Sequence, residues 1–595
     1  MSSFLYRLGR ACYRLRGRVL IGWTVVIVLF AGLALTIGGH FNDTFEVPGA
    51  SSTKALNQLK VTFPEAADAT ATVLITAPKG TKLEDRKVKD AIADWSKDVE
   101  KVPMVKGVID PYNENIDGLI SDDGASGRAM IRVQGTSSTI TDAQREQLTE
   151  AAKTLETTLP GAKVLIGGEI FSIHVPRITV VEALGLGVAI IVLVMTLGSL
   201  VASMMPVGTA IAGVGIGVLS VQIAAGVISV SSTTLMLAIM LGLAVGIDYA
   251  LFIISRHRDQ LATGMEVEES AARAVGTAGS AVVFAGLTVV IALVGLSIAG
   301  LPFLTVMGVF GALTVAFEVL LALTLLPAFM GFAGERLRPK ARKVRVPTSS
   351  TTEKKGSTRT SMVEPVETRD AHSFASGWVK LVTAWPVLTI VLVLVGIGAL
   401  AYPAKDLSMA LPTSGHSLPG TQDRATFDAI TEKFGIGFNG PLIMTVDIVE
   451  LDDPIKALDG LKADVEKMPG VHMVAASTPN ANVDTGMVQI IPTTGPDDPA
   501  TANLVERLRE REDEWKQAYD VTTAVTGFTA IQIDVTHQVQ AALLPFGIFV
   551  VGLSLILLTI VFRSIWVPIK AALGYLLSVL GAFGATVLVF NKGWA

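Results

Sequence analysis

The sequence has few charged residues and a single cysteine. Charged residues account for 17% of its 595 positions and hydrophobic residues for 50%, whereas soluble proteins carry about 25% charged residues. This composition excludes a disordered chain and argues against a soluble multidomain enzyme. A net charge of −5 gives no overall basic field that could hold nucleic acid, so no nucleic-acid partner is expected.

Cys12, the one cysteine, excludes disulfides within the chain and any metal site built on several cysteines. The sequence contains no Gly-x-x-x-x-Gly-Lys-Ser/Thr string and therefore no Walker A loop that would bind ATP. Its polar segments show no nucleophile–base pair and no metal-ligand spacing. We therefore expect neither an enzyme nor a bound cofactor or metal. The composition predicts a large membrane protein that draws its energy from a source other than ATP bound by this chain.

Charge is absent from long blocks of the sequence. The 65 residues between Glu182 and Asp248 contain no Asp, Glu, Lys or Arg, and a helix that crosses a bilayer needs about 20 residues. This block therefore predicts about three helices, with breaks within 198–206 and 226–232. Residues 274–334 are interrupted only by Glu318 and predict two longer helices with a hinge near Gly300.

Two polar segments separate the apolar blocks, and both alternate between strand-like and helical stretches, which is typical of α+β domains. In the first segment the predicted strands are 71–77, 128–133 and 163–166, and the predicted helices are 83–101 and 142–158. In the second segment the predicted strands are 441–446, 486–491 and 521–526, and the predicted helices are 453–467 and 500–519. The second segment therefore repeats the plan of the first.

The sequence thus predicts a multi-pass α-helical membrane protein with two extracytoplasmic α+β domains. Alternate threading of the helices places every short loop rich in Lys and Arg on the side of the N-terminus, which indicates a cytoplasmic N-terminus in the plasma (cell inner) membrane. The predicted parts are a cytoplasmic N-terminus (1–18), a first span (19–38), a first external domain (39–176), spans two to six (177–334), a disordered cytoplasmic linker (335–380), a seventh span (381–404), a second external domain (405–537) and spans eight and nine (538–595).

Short strings indicate that this layout is an internal repeat. Val47-Pro48-Gly49 after the first span corresponds to Leu411-Pro412-Thr413 after the seventh, and Gly167-Gly168-Glu169 corresponds to Thr526-Gly527-Phe528. The repeat predicts that the second half is incomplete, with about nine of twelve helices. Repeats related in this way are typical of transporters, in which the substrate route lies between the two halves.

Asp248 is an acidic residue inside the fourth predicted span, next to Tyr249. A carboxylate in this position costs about 2.5–3.5 kcal/mol on insertion scales, so it is expected to face water or a partner and to bind and release protons. Tyr249 can donate a hydrogen bond to it or relay the proton. The alternative is that Asp248 lies near the cytoplasmic end of its helix and extends toward water, since Arg256 follows about 12 Å further along.

Glu318 is the other ionisable residue inside a predicted span. It is expected either to pair with Asp248 or accept a second proton, or to face a cavity or interface without such a role. Thr288 in the fifth span is expected either to hydrogen-bond Asp248 or to bond to the backbone of its own helix. The glycines at 213, 215 and 217 do not form a nucleotide-binding fingerprint and fit close packing of helices.

The string from Gly246 to Asp259, with Asp248-Tyr249 inside it, resembles the fourth-helix motif of the MMPL (mycobacterial membrane protein large) family, within the resistance–nodulation–cell division superfamily. Residues 198–202 and 323–328 also resemble family segments. The resemblance implies a proton-driven exporter of lipids, or of lipophilic or antibiotic-like molecules, in the plasma membrane of an actinobacterium-like host. It also implies two porter domains outside the membrane, a proton gradient in place of a cofactor, and a proton relay of which Asp248 and Tyr249 form one half.

The sequence departs from the family pattern in three places. The second Asp-Tyr pair of the family belongs on a tenth helix, which this sequence does not contain, and Ala285 and Glu318 stand where members often carry a hydroxyl and an apolar residue. We therefore expect a family member truncated at its C-terminus, with Thr288 and Glu318 as accessory residues of the relay. The alternatives are an inactive truncated transporter, a homo-oligomer or partner that supplies the missing helices, and a non-transporting scaffold or lipid or sterol sensor.

Overall fold

The computed structural model describes the chain apart from residues 40, 43–46, 48, 65–67, 136–139, 173–179, 340–373, 408–412, 418 and 592–595. The chain divides into two compact units. The larger unit consists of Met1–Leu337 and Met409–Phe549, and the smaller unit consists of Arg338–Ser408 and Val550–Ala595. Both α+β domains belong to the larger unit.

The described residues form helices and strands with the following bounds. The α-helices are α1 (Ser2–Arg14), α2 (Arg16–Ile37), α3 (Ser51–Thr62), α4 (Arg86–Glu100), α5 (Asp142–Thr158), α6 (Glu169–Ser172), α7 (Val180–Leu197), α8 (Leu200–Ala225), α9 (Ser232–Ala262), α10 (Val267–Val294), α11 (Pro302–Ala333), α12 (Phe374–Ala384), α13 (Pro386–Ala401), α14 (Gln422–Phe434), α15 (Pro454–Glu466), α16 (Pro499–Glu510), α17 (Glu512–Tyr519), α18 (Phe528–Phe562) and α19 (Trp566–Thr586). The β-strands are β1 (Ala69–Thr76), β2 (Val105–Ile109), β3 (Ser126–Val133), β4 (Lys163–Gly167), β5 (Leu442–Asp447), β6 (Val471–Pro479), β7 (Thr485–Pro492) and β8 (Thr522–Thr526).

Eight helical stretches in the described part of the chain are long and apolar enough to cross a membrane, and α7 carries a shorter apolar stretch, Ala183–Leu197. In hydrocarbon every backbone amide and carbonyl must be satisfied within the protein, which a helix does along its own length. Together with two small sheets, these helices confirm the predicted fold class of a multi-pass α-helical membrane protein with α+β domains.

The charge-free block 183–247 lies in three helices, α7, α8 and α9, as its length predicts. Between α7 and α8, Gly198 adopts a φ of 58°, a left-handed conformation that costs little only for glycine. The Ser199 hydroxyl then accepts a hydrogen bond from the Ala202 amide and caps α8. The break is shorter than expected because Pro206 lies inside α8, and membrane helices tolerate internal proline.

The two α+β domains share one topology. Their four-stranded antiparallel sheets have the strand orders β2-β3-β1-β4 and β6-β7-β5-β8, and apolar cores lie between each sheet and its helices. Strands β2 and β6 are absent from the sequence prediction. Both have shifts of register against their neighbours, which interrupt the alternation by which a strand is recognised. The matching strand orders agree with the repeat seen in the sequence.

Two helices differ from their predicted form. The helix expected over 500–519 is divided into α16 and α17 at Arg511. The helix expected over 381–404 is divided into α12 and α13 at Trp385, which has a φ of −133° and a ψ of 69°, because a residue that precedes proline disfavours the helical conformation. Helix α12 begins inside the predicted linker, of which residues 340–373 lie outside the described residues.

The segment before the first span folds as helix α1, which packs against α10 and α11. Its buried residues are Leu5, Gly9 and Cys12. On its polar side, Arg10 and Arg14 form ion pairs with Glu268 of α10 at 2.7 and 2.8 Å. The arginines that indicate the orientation of the chain therefore also hold this helix to the bundle.

Each α+β domain contributes one helix that packs on the sheet of the other domain. Helix α3, which precedes the first sheet in the chain, packs against β8 of the second sheet, where the Thr526 hydroxyl donates to the Ser52 carbonyl at 2.7 Å. Helix α14, which precedes the second sheet, packs against β4 of the first sheet, where Gly167 leaves room for Thr426. Each domain therefore packs on a helix from the other repeat, and the two domains are interlocked.

Arg128 on β3 lies where the two domains meet. Its side chain is buried, and its guanidinium lies 4.5 Å from the ring centroid of Phe438 and 5.2 Å from that of Phe434. Its nitrogens donate to the carbonyl oxygens of Phe438 and Gly118, both at 3.4 Å. Burial lowers the pKa of Arg128 to about 10, so the side chain keeps its charge at neutral pH and forms a cation–π contact between the domains.

Arg128→Ala is expected to lower the free energy of unfolding by about 2 kcal/mol, the contribution of a desolvated cation–π contact. The measurement is the thermal unfolding of the purified protein. Arg86→Ala is the control, because Arg86 lies in the same domain with a side chain that is 95% exposed and surface ion pairs contribute little. Unfolding temperatures that are equal for Arg128→Ala and the wild type would contradict the role of Arg128 at the domain contact.

Candidate functional site

Helices α8, α9 and α11 meet along two rows of glycine. Gly213 and Gly217 on α8 are four residues apart, as are Gly242 and Gly246 on α9, so each pair lies on one face of its helix. All four glycines are buried, and this spacing lets helix backbones approach closely in a membrane. Thr314 of α11 fits against Gly217 and Gly242, where added Cβ atoms would lie 2.5 and 3.0 Å from its side chain.

Glu318 lies one helical turn after Thr314, at the same junction. Its side chain is 1% exposed, and a Cβ atom added to Gly213 or to Gly246 would overlap its carboxylate. The Val214 amide faces the carboxylate without standard hydrogen-bond geometry, and neither carboxylate oxygen has a hydrogen-bond partner among the described residues. The carboxylate therefore lies directly against the backbones of α8 and α9.

Asp248 lies two residues after Gly246 on α9, so its side chain leaves the helix about 200° away from that glycine. It is exposed and makes no hydrogen bond or ion pair to another described residue. Tyr249 is half-buried and packs beside Gly286 of α10, where an added Cβ would lie 3.5 Å from its ring. Asp248 and Glu318 therefore occupy different sides of α9, and the structure does not pair them.

Thr288 uses its hydroxyl within its own helix, where it donates to the Phe284 carbonyl at 2.9 Å. Of the two arrangements considered from the sequence, the structure shows this one. The contact of Glu318 with Gly246 is not among the expectations from the sequence. A signal for it was present in the four-residue spacing of Gly242 and Gly246, which matches that of Gly213 and Gly217 on the neighbouring helix.

Comparison with known proteins identifies the family. The model of the MMPL family matches residues 44–389, more than half of the chain. The chain belongs to the MMPL family. It is 34% identical to the membrane protein YdfJ of Bacillus subtilis (strain 168) over 604 residues, which cover 100% of this chain and 78% of that protein. The resemblance found in the string around Asp248 is thereby confirmed, and the truncation stays a prediction.

Two mycobacterial relatives have names that state a cargo. The chain is 24% identical to the mycolic acid-containing lipids exporter MmpL11 of Mycolicibacterium smegmatis, over 99% of this chain and 61% of that protein. It is also 24% identical to the probable trehalose monomycolate exporter MmpL3 of Mycobacterium leprae, over 98% of this chain and 64% of that protein. The chain thus spans less than two thirds of the length of these two MMPL proteins.

Gly213→Ala is expected to destabilise the helix bundle by about 1–3 kcal/mol, because the added methyl group would overlap the Glu318 carboxylate in a packed interface. Gly215→Ala is the matched control, since a Cβ added there on the same helix has no atom within 4 Å. The measurement is thermal unfolding of both purified variants in the same detergent. An equal loss of stability in the two variants would contradict the packing of Glu318 against α8.

Proposed function

We propose that this MMPL protein uses the proton gradient to export lipids, or other lipophilic or antibiotic-like small molecules, across the plasma membrane. The observation that carries the proposal is the exposed carboxylate of Asp248 on a helix long and apolar enough to cross the membrane. The lipid cargo is supported by the names of two relatives, an exporter of mycolic acid-containing lipids and a probable exporter of trehalose monomycolate.

The position of Asp248 along α9 supports a role in proton binding. Helix α9 begins at Ser232, and about 20 residues cross the hydrocarbon core, so a core that starts near Ser232 ends near Phe252. Asp248 falls inside this stretch, and Arg256 lies beyond it. An ionised carboxylate inside the core costs about 2.5–3.5 kcal/mol on insertion scales, and binding of a proton removes the charge that causes this cost.

Protonation of Asp248 can therefore shift the packing of the bundle. The ionised form favours an arrangement in which water or a partner reaches α9, and the neutral form favours one in which apolar groups surround it. Tyr249 can relay the proton, and its ring packs beside Gly286 of α10 and within the apolar cluster that includes Val319 of α11. A movement of α9 would thereby be transmitted to α10 and α11.

The proposed orientation places the N-terminus in the cytoplasm and both α+β domains outside the membrane. The arginines before and at the start of α2 support this orientation, because positive residues near a span remain on the cytoplasmic side. The exchange of α3 and α14 ties the two domains together, so they would respond jointly when the helices below them rearrange. Substrate would pass between the two repeats, as in other transporters built from repeats.

Asp248→Asn is expected to abolish export while leaving expression and folding intact, because the amide has nearly the same shape but cannot take up and release a proton. The measurement is the retention of a lipophilic fluorescent dye by cells that express the chain. Asp259→Asn is the control, since Asp259 is an exposed residue on the same helix beyond the proposed hydrocarbon core. Wild-type export by Asp248→Asn would contradict the relay.

A further inference from the structure

Glu318 is a buried acid of the helix bundle that the proposed relay does not use. We propose that Glu318 is a second proton-binding site, which holds its proton while α8, α9 and α11 are packed together and releases it when these helices separate and admit water. This site differs in position from Asp248, which is exposed on another side of α9. The inference holds for any cargo, and it does not require that Asp248 is the coupling residue.

A charge on Glu318 would lack compensation in the packed bundle. Glu318 is 1% exposed, and neither of its oxygens has a hydrogen-bond partner in the described part of the chain. Removing an ion from water costs several kcal/mol even after the protein relaxes. A buried carboxyl group without a counter-ion avoids this cost by taking up a proton, so the neutral acid is the form that fits the packed helices.

Charged groups on the surrounding helices do not supply a counter-ion in the described arrangement. Helix α8 contains no ionisable residue, and α11 contains none besides Glu318. Helix α9 presents Gly242 and Gly246 to Glu318, while Asp248 is exposed on another side of the helix. Tyr249 packs toward α10, and Arg256 lies ten residues, or about 15 Å, beyond Gly246. These elements therefore enclose Glu318 with apolar side chains and backbone.

The other neighbouring helices, α1, α2 and α10, carry their charged residues far from Glu318. Helices α2 and α10 have charged residues only within their first two turns, and those of α10 include Glu268, which pairs with α1. Helix α1 reaches α11 at Gly331, where Tyr13 packs. Gly331 is thirteen residues beyond Glu318, or about 20 Å along the helix. A proton is therefore the cation that must accompany Glu318 in this packing.

The small space around the carboxylate selects a proton over a metal cation. Carboxylate-bound metal cations need several oxygen ligands. Here Gly213 and Gly246 lie so close that even a methyl group at either position would overlap the carboxylate, and the Thr314 hydroxyl nearby donates to the Phe310 carbonyl. A proton needs no further ligand and no additional volume.

Release of the proton from Glu318 requires movement of the helices. The carboxylate is sealed by two helix backbones, so water can reach it only if α8 or α9 moves away from α11. Ionisation then favours the separated arrangement and protonation favours the packed one. Gly246, which seals the site, is on the same helix as Asp248, so a rearrangement of α9 changes the surroundings of both acids.

The test is the infrared spectrum of the full chain in lipid vesicles at neutral pH, with glutamate carrying ¹³C in its carboxyl group. A protonated carboxyl group absorbs at a different infrared frequency from a carboxylate. The frequency shift caused by ¹³C assigns the band to glutamate in the wild-type protein itself. We expect a protonated glutamic acid band that is lost in Glu318→Gln and kept in Asp248→Asn. A wild-type spectrum without this band would overturn the proposal, as would a band that Glu318→Gln leaves unchanged.

Titration of the same band tests the link to packing. In Gly246→Ala the added methyl group would force the helices apart and admit water, so the band is expected to disappear at a lower pH than in the wild type. Gly215→Ala, which meets no atom within 4 Å, is expected to titrate as the wild type does. Coinciding titrations of Gly246→Ala and the wild type would contradict the link.

Loss of the wild-type band on addition of sodium or potassium chloride at constant pH would instead identify a metal-cation site and overturn the proposal.

Discussion

The contact of one carboxyl group with two helix backbones is the constraint on which the membrane bundle depends. Glu318 has room only because Gly213 and Gly246 present no side chain, and the same glycine rows let α8, α9 and α11 approach closely. In hydrocarbon, close packing is a main source of association between helices. A bundle held in this way is well packed in one arrangement and is poorly packed when the acid is charged.

The α+β domains depend on a different contact, the exchange of helices α3 and α14. Because each sheet is covered in part by a helix of the other repeat, separating the domains would uncover the faces of β4 and β8 on which these helices pack. Arg128 adds a buried cation between aromatic rings at the same boundary. These contacts explain why two domains that are far apart in the sequence belong to one compact unit.

The sequence predicts elements well where a local signal defines them. Helix α5 begins after Thr141, whose side chain forms a capping box with Gln144, and its predicted and observed bounds coincide. The charge-free block up to Asp248 predicts its helices because the thickness of a bilayer fixes their length. The family was likewise recognisable from the short string around Asp248 and Tyr249.

Features that depend on distant residues could not be read in the same way. The exchange of α3 and α14 joins segments from different repeats, and no local pattern encodes it. The surroundings of Glu318 come from glycines on two other helices, so its burial follows only from their packing. The division at Trp385 did have a local cause in the following proline, but the continuous apolar stretch obscured it.

The most direct test of proton-driven transport is lipid movement by the purified chain in sealed vesicles with an imposed pH gradient. A fluorescent acyl lipid reports movement from one side of the membrane to the other, and a protonophore collapses the gradient without removing the protein. The account predicts movement that requires both the gradient and the protein, and that stops when the protonophore is added. Lipid movement that continues unchanged after the gradient collapses would contradict the account. A lack of lipid movement while the gradient is intact would contradict it as well.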